Sequence, residues 1–83
     1  TGNGGAIGDA LVTHPLVRMV SFTGGTEIGR RISEHAGRRL ISTVLELGGK
    51  SPHIVFADAD LESAADAATV AIFEGTGQSC TAG

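Results

Sequence analysis

Apolar and polar positions switch between two periods along this chain. In residues 5–13, Ile7, Ala10 and Leu11 recur at helical spacing ahead of a polar end. His14-Pro15 stops that pattern, because a residue before proline is pushed out of the helical region. Leu16 to Phe22 is apolar and β-rich and predicts a strand, followed by a tight turn at Thr23-Gly24-Gly25-Thr26. From Glu27 to Ala36 the residues Ile28, Ile32 and Ala36 stand at i, i+4 and i+8, one apolar helix face, with Gly37 expected as the C-terminal cap. Ile41 to Leu47 predicts a second strand, broken by Gly48-Gly49-Lys50-Ser51-Pro52, and His53 to Phe56 a third. Asp60 is placed to cap a long helix whose core stripe is Leu61, Ala64, Ala65, Ala68 and Ile72, and Gly75 and Gly77 end it.

Strands alternating with helices of this length predict an α/β fold, a parallel sheet with flanking helices joined by crossover connections. The chain has 83 residues, enough for one domain or part of one. Thirteen glycines would suit a disordered chain, but 41% apolar residues and two prolines argue against that, and the glycines sit at segment ends as punctuation. Net charge is −3, with no Trp or Tyr, which excludes an electrostatic or stacking case for nucleic acid. No apolar stretch is long enough to span a bilayer, so no membrane is expected as a partner. A single cysteine cannot pair within the chain, which suits a reducing, cytoplasmic setting; the first residues show no initiator Met and no targeting signal, although a fragment would have lost one. Four arginines form two pairs, Arg30-Arg31 and Arg38-Arg39, read as a solvated helix face and its end rather than a phosphate clamp.

Three segments carry candidate chemistry. Strand, Gly24-Gly25-Thr26, helix is a recipe for anion binding: first-turn N–H groups are unpaired, the dipole is positive, and glycine lets a phosphate approach the backbone. The alternative is a plain strand-to-helix turn. Gly2, Gly4 and Gly8 have one residue too many for the dinucleotide fingerprint, and Lys50-Ser51 lacks the first glycine of a P-loop. Glu46 interrupts an otherwise apolar strand near its C-terminal end, where open α/β sheets place ligands, and partial burial there would suit it to general-base work. A solvent-facing Glu on an edge strand is the alternative. Cys80, in Gly77-Gln78-Ser79-Cys80-Thr81-Ala82-Gly83, is a nucleophile only as the thiolate and has no Lys or His beside it in sequence; otherwise it is an inert buried Cys. His14, His35 and His53 are irregularly spaced, so no metal is assigned.

Taken together, Phe22-Thr23-Gly24-Gly25-Thr26-Glu27-Ile28-Gly29, Leu45-Glu46-Leu47-Gly48-Gly49-Lys50-Ser51-Pro52, Phe56-Ala57-Asp58-Ala59-Asp60-Leu61 and the Cys80 segment resemble the aldehyde dehydrogenase superfamily across essentially the whole chain. The resemblance implies a partial Rossmann-like sheet, an internal fragment of a longer enzyme ending just after its catalytic cysteine. Residues 1–76 would be the later part of an NAD(P)-binding domain, and 77–83 the start of a catalytic domain. It implies Cys80 as nucleophile and Glu46 as general base, with NAD or NADP as cofactor and an aldehyde as substrate. It implies Gly24, Gly25 and Thr26 at the pyrophosphate, Gly4 and Ile28 near the adenine, and the Leu47 backbone near the nicotinamide. An oxyanion-stabilising Asn is implied upstream of Thr1, so the 83-residue chain alone is expected to be inactive, and the parent a homodimer or homotetramer. Two departures are visible: Gly25 where many members have Ser, and Gly75 where Asn is common. Three other readings remain: a stand-alone nucleotide-binding module with an incidental Cys80, a cofactor-free cysteine acyl hydrolase, and an inactive structural homologue.

Overall fold

The computed structural model describes residues 1–82; Gly83, the last residue of the Cys80 segment, lies outside the described residues. The chain divides into two compact units, Thr1–Leu47 and the stretch from Gly48 onward, each described here by itself.

In the first unit, α1 spans Gly4–Thr13, β1 Met19–Gly24, α2 Thr26–Arg39 and β2 Ser42–Leu47. Asn3 starts α1, its side chain accepting the Gly5 N–H at 2.9 Å. β1 and β2 pair in parallel, with α2 as the crossover between them. A parallel pair cannot be closed by a short turn, so the helix is what makes the pairing possible. The sheet is covered on one face only. Val20 and Phe22 of β1 and Thr43, Leu45 and Leu47 of β2 are half-buried, while the alternate residues are exposed. Val12, Ile32 and Ala36 form the buried core between α1 and α2.

Several boundaries differ from expectation: β1 runs on to Gly24 and α2 starts at Thr26, so the expected four-residue turn shrinks to Gly25, and β2 begins at Ser42 rather than Ile41. β1 begins at Met19, three residues after Leu16, because pairing with β2 starts at Met19↔Ser42; Leu16 is exposed. Gly37 is not the cap of α2. The helix runs on through Arg38 and Arg39, good helix formers whose charge suits the negative end of the dipole. Leu40 takes the left-handed role at φ 53°, and its N–H and that of Ile41 close the helix by bonding back to the last turns.

The second unit corrects the expected third strand. His53 to Phe56 carries no ladder: its residues are exposed, Ile54 by 71% and Phe56 by 73%, and no strand pairs with them among the described residues. A strand is defined by a partner that takes its N–H and C=O groups, and here none does. A turn follows, with the Ala59 N–H bonded to the Phe56 carbonyl. α3 spans Leu61–Phe73 and is capped by Asp60 as expected. Its expected core stripe is not covered: Ala64 and Ala68 are partly shielded, Leu61, Ala65 and Ile72 are exposed, and α3 has no buried residue.

α2 packs tightly against β2 at Gly29. A Cβ on Gly29 would stand 2.6 and 2.7 Å from the Leu47 methyl carbons, whereas one on Gly37, also inside α2, would meet nothing within 4 Å. Gly29→Ala is therefore expected to destabilise by about 1–3 kcal/mol through overpacking. Gly37→Ala is expected to stabilise by up to about 1 kcal/mol through helix propensity. Denaturant midpoints of the two variants moving in opposite directions check this.

Candidate active site

The register of β1 and β2 assembles one edge. Thr23 pairs with Glu46 and Gly24 with Leu47, so the turn into α2 and the end of β2 meet at the C-terminal side of the sheet. Gly25 is the N-cap of α2 and no side chain caps that end, which leaves the first-turn N–H groups free to take an acceptor from outside the helix. Glu27 in the first turn is partnered by Arg30, so its charge does not stand alone against an anion.

The two turn glycines differ in what they accommodate. A Cβ on Gly24 would lie 2.6 Å from the Phe22 ring, so its missing side chain makes room for Phe22. A Cβ on Gly25 would meet nothing within 4 Å, so the space beside Gly25 and Thr26 is open to a ligand. Gly25 has φ −69°, a value any residue adopts, so its backbone does not require glycine.

Glu46 lies on the open face of β2 with Ser42 and Val44, and is exposed. The partial burial expected for it is absent, because α1 and α2 cover only the opposite face. Leu47 points to that covered face, against Gly29. Gly4 and Ile28 line one groove of about 580 Å³ within the first unit, together with Gly8, Val12, Phe22 and Ile32. The structure thus brings Gly24, Gly25, Thr26, Glu46 and Leu47 to one sheet edge, and Gly4 and Ile28 to one groove.

Cys80 belongs to the second unit and is an exposed free thiol. It stands in a turn closed by the Ala82 N–H on the Ser79 carbonyl and by Ser79 Oγ and Thr81 Oγ1 at 2.9 Å. Gly75, Thr76 and Gly77, all at positive φ, swing the chain from α3 into that turn. Thr76 is the costly one, since a β-branched residue rarely adopts this conformation. Gly49 lies near the turn: a Cβ there would be 3.9 Å from the Cys80 carbonyl oxygen. Among the described residues no group of three or more His, Cys, Asp or Glu could hold a metal, and no helix is long and apolar enough to cross a membrane.

Sequence reasoning missed Arg39, a half-buried side chain whose guanidinium reaches three carbonyls. It also missed the Gly29–Leu47 approach, for which a glycine inside a helical pattern was the available signal.

A helix crossing between two parallel strands, with its glycine-led N-terminus beside their C-terminal ends, defines a segment of an α/β fold. The aldehyde dehydrogenase family model matches residues 1–83. Phenylacetaldehyde dehydrogenase of Pseudomonas fluorescens is 58% identical over 83 residues, covering 100% of this chain and 16% of that protein. Succinate-semialdehyde dehydrogenase (NADP+) GabD of Escherichia coli K12 is 49% identical over 80 residues, 96% of this chain and 17% of that protein. Among solved structures, an NAD+ complex of aldehyde dehydrogenase from Bacillus cereus superposes with a TM-score of 0.91 at 43% identity, covering 99% of this chain and 17% of that one. This chain belongs to the aldehyde dehydrogenase family, and it spans 16–17% of the length of these relatives.

Asp60 fixes the start of the helix that leads to Cys80. Its carboxylate is held below the usual range, first by the Ser63 N–H, then by the Ser63 hydroxyl and the Glu62 N–H. A lowered folded-state pKa means that the stabilisation is present above the unfolded value and lost as pH falls through the folded one. Amide-exchange protection in the first turn of α3 is expected to fall with acidification across that window. It should be lower and pH-independent there in Asp60→Ala. Hydrogen exchange on the full-length protein, read by mass spectrometry, checks this.

Proposed function

We propose that the chain is a segment of an NAD(P)-dependent aldehyde dehydrogenase that oxidises an aldehyde to a carboxylate, with Cys80 as nucleophile and Glu46 as general base. The observation that carries the reading is the edge where Gly25, at an uncapped helix N-terminus with open space beside it, meets the end of β2 at Glu46–Leu47. Residues 1–76 would then belong to the nucleotide-binding domain and 77–83 would open the catalytic domain. The names of its relatives support either dinucleotide: one is an NADP+ enzyme and one was solved with NAD+.

The residues present fit such a cofactor. First-turn N–H groups at Gly25 and Thr26 would take the pyrophosphate, with Gly24 shaping the turn. The groove lined by Gly4 and Ile28 would receive the adenine. The Leu47 backbone would lie near the nicotinamide. When bound, NAD or NADP supplies a hydride acceptor. Cys80 Sγ, as thiolate, attacks the aldehyde carbonyl carbon and forms a thiohemiacetal whose oxygen carries the negative charge. Loss of hydride from that carbon leaves a thioester on Cys80. Glu46 then takes a proton from water, whose oxygen attacks the thioester carbon; collapse expels the Cys80 thiolate and the carboxylic acid, which loses its remaining proton to solvent as the carboxylate. The exposure of Cys80 and Glu46 suits groups that must meet a substrate and a water.

In the full-length protein, Cys80→Ala is expected to lower kcat by about 10³-fold or more. Glu46→Gln should keep a burst of NAD(P)H near one equivalent per site while steady-state turnover falls by roughly 10²-fold. Stopped-flow absorbance at 340 nm reads both. Full turnover by Cys80→Ala would overturn the assignment, as would loss of the burst together with the steady state in Glu46→Gln. The 83-residue chain alone is expected to give no aldehyde-dependent NAD(P)H.

A further inference from the structure

Arg39 is the last residue of α2, yet its guanidinium is turned back onto the chain. Nη1 donates to the Val12 carbonyl at 2.9 Å; Nη2 donates to the Val17 carbonyl at 2.9 Å and to that of Pro15 at 3.2 Å. The Val12 carbonyl belongs to the last turn of α1, where such groups have no partner inside their own helix. One side chain from α2 therefore caps α1 and grips the connection that leads from α1 into β1.

α1 and α2 are also two walls of the groove that holds Gly4 and Ile28, and Val12 and Ile32 of the buried core line it. A second tether crosses between the same helices, the Asp9–Arg31 ion pair, but both side chains are more than half exposed. Such pairs contribute little and are screened by salt. The part-buried, three-carbonyl grip of Arg39 is the stronger constraint on how far α1 stands from α2.

We infer that Arg39 is a positioning residue for the dinucleotide: by holding the Val12, Pro15 and Val17 carbonyls it sets the width of the groove that takes the adenine end. This rests on the function proposed above. Lysine cannot reproduce it, because a single ammonium lacks the planar fork that reaches carbonyls on both sides.

The test uses the full-length protein with Arg39→Lys and Arg39→Ala. The KM for the dinucleotide and the Kd for AMP, measured by calorimetry, are expected to rise together by about tenfold in Arg39→Ala and by less in Arg39→Lys. At saturating dinucleotide kcat should stay within about twofold, since the chemistry at Cys80 is untouched. Unchanged KM and AMP affinity would overturn the inference, and so would a fall in kcat with KM unmoved, the mark of lost folded protein alone. If Arg39→Ala does not fold, Arg39→Lys decides by the same criteria. Failure of the function reading looks different: the unsubstituted protein would not oxidise aldehydes with NAD(P), while an Arg39 dependence of AMP affinity would still support the groove assignment. No AMP binding by the unsubstituted protein, with aldehyde oxidation intact, would overturn the groove assignment and leave the function reading standing.

Discussion

Parallel hydrogen bonding between β1 and β2 fixes which residues share an edge, and the first unit is arranged around it. With Thr23 opposite Glu46 and Gly24 opposite Leu47, the turn into α2 and the end of β2 emerge together. A slip of one residue would turn Glu46 toward the covered face and Leu47 toward the open one. The register is held from the covered side. Gly29 lets α2 settle onto Leu47, and the half-buried Val20, Phe22, Thr43 and Leu45 can face α2 in only one phase of the pleat.

The element types were legible where periodicity was long and bounded by strong signals. α2 shows its apolar face at i, i+4 and i+8, α3 announces itself through Asp60, and the Pro15 stop ends α1 within a residue of its place. The passage from strand to helix at Gly24-Gly25-Thr26 was legible for the same reason, since paired glycines between two periodic segments mark a break. What failed to show were facts about partners. His53 to Phe56 has the composition of a strand, but composition says nothing of whether another strand lies beside it. Glu46 looks embedded among apolar residues along the chain, yet alternation puts it on the face that α1 and α2 leave open.

Arg39 illustrates the limit in another way. Adjacent arginines at a helix end read as solvated charge, and three of the four do stand exposed. The fourth meets carbonyls up to 27 positions away in the chain, a contact no local window contains. Its grip also explains why α2 continues past Gly37. A left-handed Leu40, almost fully exposed, is an unfavourable way to end a helix, and it directly follows the anchored Arg39.

The crossover has a consequence for how this segment comes into being. Paired residues of β1 and β2 stand 23 positions apart, and no hairpin can zip them together. During synthesis β1 cannot pair with β2 until α2 and β2 have been made. Early formation of α2, assisted by its Glu27–Arg30 pair and its basic last turn, shortens that wait by converting a long flexible loop into a rigid strut. The rate at which the β1–β2 pairing appears is thus governed by the helix that joins its strands.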